Sequence, residues 1–168
     1  MTKWLARRRV AIGFILGAAV WYLAQPTRTS LVRGAVLALI GEALRIWAAG
    51  HLEKSREVTR SGPYRFSRHP LYLGSSIIAI GIAVASASLA VAAIVAVYVL
   101  TAIPAAILSE EAHLREKFGG VYDAYKTRAA PPMERSFSLA RARINREHHT
   151  IGGVLLGLAL LVTRAWLR

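Results

Sequence analysis

Two short stretches hold most of the side chains able to do chemistry. GPYRFSRHPLYLG, residues 62–74, places Tyr64, Arg65, Arg68, His69 and Tyr72 directly before an apolar run. Gly62-Pro63 marks a turn. Pro70 disfavours helix at His69 and suits the first turn of a helix that follows. His69 is therefore expected on non-helical backbone at a helix entrance, where unsatisfied N–H groups can bind an anion or a polar ligand. A basic membrane anchor would account for Arg65 and Arg68. It would not account for the whole set of Gly62, Pro63, Tyr64, Arg68, His69, Pro70, Tyr72 and Gly74. The second stretch, Ser109-Glu110-Glu111, sets two adjacent carboxylates where another apolar run ends. Acids beside hydrocarbon are costly and tend to mark sites. A solvated helix end is the plainer alternative for such a pair.

The remaining polar residues suggest less. Glu42 and Arg45 stand three apart in an apolar segment, which predicts a structural ion pair between them. His51 is expected at the membrane interface. His148 and His149 have no companions at metal-ligand spacing, so no metal site is expected. The chain has no cysteine, which excludes disulfides, thiol nucleophiles and cysteine metal sites. Neither G-x-G-x-x-G nor a P-loop occurs, so soluble nucleotide-binding folds find no support.

The elements that must position these residues are membrane helices. The 168 residues are 55% hydrophobic and carry a formal charge of +13. Charge and apolar residues alternate in blocks, which points to a membrane protein with basic loops and not to a nucleic-acid binder. Five segments approach the length of a bilayer crossing: Val10 to Ala24, Leu31 to Ala49, Leu71 to Ala87, Ser88 to Leu108 and Ile151 to Leu167. The basic N-terminus before the first resembles a signal peptide, but no clean cleavage site follows, so a retained helix is expected. The third and fourth, joined by ASASLA, predict a tight helical hairpin with small residues at its contacts. Pro104 predicts a kink. The expected fold is an all-α polytopic membrane bundle of about five helices, forming one domain, with residues 126–150 as a basic, partly disordered surface segment.

Basic residues cluster before the first segment, between the second and third, and between the fourth and fifth. That places the N-terminus and all three clusters in the cytoplasm. Arg164 and Arg168 then fall on the opposite side, so an alternative lays the last helix along the interface. The hairpin brings both chemistry-bearing stretches to the cytoplasmic mouth of the bundle, a natural position for a small-molecule pocket. Short loops and the lack of cysteine favour a prokaryotic inner membrane.

These residues resemble a known family. GEALRIWAAGHLEKSREVTRSGPYRFSRHPLYLG followed by EEAHLREKFGGVYDAYK is similar to the integral-membrane methyltransferases related to isoprenylcysteine carboxyl methyltransferase and the phospholipid methyltransferases. Arg68, His69, Pro70, Tyr72 and Gly74 match an R-H-P-x-Y-x-G motif. Glu110, Glu111, Leu114, Phe118, Gly119, Tyr122 and Tyr125 match the second motif, and the resemblance covers residues 41–125.

The resemblance implies S-adenosylmethionine as cofactor, held by Arg56, Glu57, Val58, Thr59, Tyr64, His69, Pro70, Leu71, Tyr72 and Glu110. Arg68 or the helix N-terminus could take the cofactor's carboxylate, and Glu110 its ammonium. Tyr64 or Tyr72 could stack on adenine or face the sulfonium. An amine or thiol acceptor needs a base, for which His69, Glu110 and Glu111 are candidates; a carboxylate acceptor needs none. The acceptor is expected to be lipophilic or small, reaching the site from the bilayer. One departure stands out. The prenylcysteine branch resembled here carries an arginine about one turn before the glutamate pair, where this chain has Ala106. Two other readings stay open: a nicotinamide-dependent membrane reductase of the sterol-reductase type, and a non-catalytic membrane protein.

Overall fold

A computed structural model describes residues 16–167. The start of the expected first crossing, residues 10–15 of 10–24, lies outside the described residues. All regular structure among the described residues is helical. Residues 16–23 form α1, Arg28–His51 α2, Pro70–Ser86 α3, Leu89–Phe118 α4, Gly120–Lys126 α5, Leu139–Ile144 α6 and Glu147–Trp166 α7. A 3-10 turn over Gly62–Arg65 precedes α3.

Local sequence explains the boundaries. Thr27 caps α2 reciprocally with Ser30, so two orphan N–H donors are satisfied. Pro70 opens α3, with His69 as its non-helical N-cap at φ −130°. Two residues join α3 to α4: Ala87, left-handed at φ 48°, and Ser88, whose hydroxyl accepts from the Val91 N–H. The expected hairpin is therefore present, and tighter than ASASLA suggested. Pro104 lies inside α4, which continues through it. Gly119, at φ 49° and ψ −126°, ends α4 and starts α5; that backbone favours glycine.

The core of the bundle is the α2–α3 pair. Their backbones approach so closely that a Cβ on Gly41 would lie 2.7 Å from the Gly74 carbonyl. A Cβ on Gly81 would lie 2.6 Å from the Ala38 nitrogen. Small residues permit this contact, which in lipid is stabilised by dispersion and packing. At one end of the bundle Ala24, Ala85 and Leu161 pack together with Leu31, Ile82 and Leu158. There Trp21 donates to the Leu160 carbonyl, and the Arg164 guanidinium lies 5.3 Å from the Trp21 ring centre. At the other end Arg45 on α2 meets Glu147 on α7. So α7 runs the length of the bundle, and the alternative of a helix lying across its end is not taken.

Residues 126–150 have a role that was not expected: side chains from this mostly exposed segment cap α2. The final carbonyls of a helix lack intrahelical donors. Here Asn145 donates to the Ala49 carbonyl at 2.9 Å, Arg141 to that of Gly50 at 2.8 Å and Arg135 to that of His51 at 3.2 Å. Two of these donors are cationic, which suits the negative end of the helix dipole. His51 is likewise buried, 5% exposed and bonded to Ser61, where an interfacial position was expected.

Among the described residues α4 and α7 are long and apolar enough to cross a bilayer, and α3 is a shorter apolar helix. At 1.5 Å per residue α4 is about 45 Å long, against a hydrocarbon core of about 30 Å. One end of α4 must project, and the polar end, from Ser109 to Phe118, is the one suited to water.

Candidate functional site

The polar end of the bundle encloses a cavity of about 550 Å³. Its walls are the loop after α2, the 3-10 turn, the first turns of α3, the projecting end of α4 and one residue of α5. The loop is fixed from both sides. Glu53 N–H donates to the Thr59 hydroxyl at 3.2 Å, and the capping segment holds Glu57 through Arg135 at 2.6 Å and Glu53 through Arg141 at 3.3 Å. Tyr125 ties α5 over the turn by donating to the Tyr64 carbonyl at 2.8 Å.

Of the residues anticipated from sequence, Glu57, Val58, Thr59, Tyr64, Arg68, Leu71, Tyr72 and Glu110 line this cavity. Arg56 points away and is exposed, 3.8 Å from Glu53. Pro70 is buried as the first residue of α3. His69 and Glu111 face a different place. The Glu111 carboxylate accepts from Lys126 at 2.8 Å and meets His69 at 3.1 Å and Arg68 at 3.3 Å. The Lys126 hydrogen bond, with that of His69 and the nearby Arg68 charge, holds the Glu111 carboxyl down at about 2. The cluster clamps α3, α4 and α5 together beside the cavity.

Sequence reasoning passed over several wall residues. His113 shares the Glu110 face of α4 with Ser109 and Leu114, which the two motifs contained without a role, and its i+3 spacing from Glu110 is a signal that could have found it. Ala106, one turn earlier, also lines the cavity, so a methyl group occupies the wall where the prenylcysteine branch carries its arginine. Arg45 is the largest omission, and its partner was misassigned. The expected Glu42–Arg45 pair is absent: Arg45 reaches across to α7 and α3. Its Nε donates to Glu147 at 2.7 Å, and its two NH groups serve the other Glu147 oxygen, Thr150, the Leu71 carbonyl and Ser75. A bidentate carboxylate 102 positions away competes better than a neighbour on the same helix face. The Glu42 carboxylate, 5% exposed, is left with no hydrogen-bond partner.

These pairings sort the charges. A guanidinium has five N–H donors, and Arg45 uses all five on protein, so it forms wall and offers nothing to a ligand. Glu57 and Glu111 are paired. Among the cavity acids Glu110 alone has no ion pair among the described residues, and Lys54 and the outer side of Arg68 are the available cations. Burial, followed by the charge of Glu110, pushes the Tyr64 hydroxyl up. Burial likewise raises Tyr125, to about 12. Both stay neutral, and they act as aromatic surface and hydrogen-bonding groups, not as phenolate bases. No three His, Asp or Glu side chains converge in a metal-binding group among the described residues.

Comparison with known proteins places this arrangement. The phospholipid methyltransferase family matches residues 29–120. A nickel-cobalt-cadmium resistance protein, NccN, of Alcaligenes xylosoxydans xylosoxydans is 31% identical over 138 residues, covering 79% of this chain and 62% of the relative. A cobalt-zinc-cadmium resistance protein, CzcN, of Cupriavidus metallidurans is 34% identical over 87 residues, 51% of this chain and 39% of the relative. The chain thus spans less than two thirds of the length of either relative. No solved structure matches it. Matched from the start of α2 to the start of α5, over more than half its length, the chain belongs to the phospholipid methyltransferase family of membrane methyltransferases.

Proposed function

We propose that the chain transfers a methyl group from S-adenosylmethionine to a lipophilic or small acceptor, with the donor in the cavity around Glu110. The observation that carries this reading is the unpaired carboxylate of Glu110 in a cavity whose other acid is engaged. A zwitterionic amino-acid moiety needs one anion and one cation. Glu110 is the anion without an ion pair and Lys54 the cation without one, while Arg68, paired with Glu111, still borders the cavity. Tyr64 and Tyr72 supply flat aromatic surface for a purine, or a π-face for a sulfonium. A volume of about 550 Å³ falls in the range of cofactor sites.

When bound, the cofactor supplies an electrophilic methyl carbon. The chain's own residues bind, orient and exclude water. Tyr64 and Leu71 wall the cavity from the bundle interior, and Ala106 leaves space on the α4 side where an acceptor could sit. Proximity and alignment of the two reactants then lower the barrier. An acceptor that must lose a proton would find His113 and Glu110 on the cavity wall. His69 and Glu111 are engaged with each other and act as positioning residues. The same reading puts the cavity on the cytoplasmic side of a prokaryotic inner membrane, with α1, α2 and α3 completing five crossings.

The reductase alternative is disfavoured by the same carboxylate, since Glu110 would repel the phosphates of a dinucleotide. The relatives' names suggest metal resistance. In this reading the link would run through the membrane component being methylated.

The test is calorimetric titration of S-adenosylmethionine and S-adenosylhomocysteine into detergent-purified protein, beside Glu110→Gln and Arg68→Gln. Saturable binding to the wild type, weakened about tenfold or more in Glu110→Gln, is expected. Binding of reduced nicotinamide dinucleotide instead, or no binding by folded protein, would overturn the proposal.

A further inference from the structure

The turn from α6 into α7 carries four cationic or titratable side chains that the cavity does not use. Arg143, Arg146, His148 and His149 line an open concavity of about 750 Å³ together with Ala140 and Ile144. All four are exposed, and the two imidazole rings lie 4.2 Å apart. Among the described residues none of the four is within ion-pair distance of a carboxylate. The nearest acid in sequence, Glu147, is 4% exposed and turned inward onto Arg45. The two guanidiniums are therefore not neutralised by the protein.

Their surroundings narrow the ligand. α6 exposes Leu139 at 72% and Ile144 at 77%, and the apolar stretch of α7 starts at Ile151, immediately after the histidines. Charge therefore sits where a membrane-crossing helix begins, beside bare aliphatic surface. That combination fits the boundary between headgroups and acyl chains. A divalent cation on the histidine pair would face two uncompensated guanidiniums, so the local field selects an anion. Arg146 is also held left-handed at φ 61°, a conformation that a glycine would adopt with less strain. The chain places an arginine there nonetheless.

We infer that this corner is a headgroup site for an anionic phospholipid, with the phosphate between Arg143 and Arg146, the histidines beside it and the acyl chains entering the bilayer alongside α7. The inference requires only that α7 enter a membrane, not that the cavity bind a methyl donor.

The test uses the full chain in phosphatidylcholine bilayers containing a small fraction of spin-labelled phosphatidylglycerol or spin-labelled phosphatidylcholine. The motionally restricted fraction of each label gives their relative association with the protein. A several-fold preference for phosphatidylglycerol is expected, falling to near parity with phosphatidylcholine in Arg143→Gln/Arg146→Gln. The control Arg28→Gln/Arg33→Gln removes two exposed arginines at the far end of the bundle and should leave the preference intact. An equal loss in both double variants would overturn the site in favour of diffuse charge. Displacement of the labelled lipid by millimolar inorganic phosphate would reassign it to a soluble anion. A preference untouched by Arg143→Gln/Arg146→Gln, with cobalt ions binding the histidine pair, would make it a metal site and overturn the inference.

Discussion

Glu110 and Glu111 share one turn of α4, yet they face different compartments. Around Glu111 three side chains converge, Arg68 and His69 from the residues just before α3 and Lys126 from α5, and the carboxylate is fully engaged. Around Glu110 there is open volume and no ion pair. The same contrast recurs on α2. Arg45 is saturated by Glu147 and its neighbours, whereas Glu42, one turn away, has no partner. The difference teaches that charge alone does not mark a site in this bundle. Saturated groups are scaffold. A group left unsaturated beside a cavity is available to a ligand, and one left unsaturated in a packed interface is a cost.

Four substitutions test that division. Arg45→Met should have the largest effect, because it leaves Glu147 buried without its partner. A loss of about 3–5 kcal/mol is expected, read as a fall in the melting temperature of the purified protein. Arg45→Met with Glu147→Leu should recover most of it. A double variant as unstable as the single one would mean that the pair is not what holds α2 to α7.

Glu110→Gln comes next. It should weaken binding of the methyl donor by about 1.5–3 kcal/mol and leave the melting temperature within a degree or two of the wild type. A large thermal loss instead would make Glu110 scaffold like its neighbour.

Glu111→Gln should show the reverse pattern, with a loss of about 1–2 kcal/mol in stability and little direct effect on donor affinity. Its pH dependence carries a sign. The folded carboxyl is depressed to about 2, from 4.5. Its contribution is therefore present above the unfolded value and is lost as pH falls from about 4.5 towards about 2. Melting curves of wild type and variant should converge over that window. Parallel curves would show that the clamp is not ionic.

The smallest effect is expected for Glu42→Met. Replacing an unpartnered buried carboxyl with an apolar side chain of similar volume should raise stability by about 1 kcal/mol. A loss instead would reveal a partner or a function for Glu42.

Much of the fold was legible in the residues. Apolar run lengths marked the helices, Pro70 marked the start of α3, and ASASLA marked the hairpin, because these signals act through backbone geometry within a few positions. From the two motifs and the loop before the first of them, eight of the residues that line the cavity were anticipated, since helical spacing and the hairpin bring residues 57–72 and 106–114 to one end. The capping role of segment 126–150 was not foreseen because Arg135, Arg141 and Asn145 look solvated in isolation. Their acceptors are the last carbonyls of α2, about ninety positions earlier. The Glu42–Arg45 pair was misread for the same reason, since Glu147 is far away in sequence and adjacent in space.

The sequence by itself determined that this is a helical membrane protein of a methyltransferase family, because composition, periodicity and short motifs are local properties. Only the tertiary structure decided which of its charges are free. Whether a carboxylate is scaffold or available depends on what lies within about 3 Å of it, and in this bundle those partners come from helices far apart along the chain.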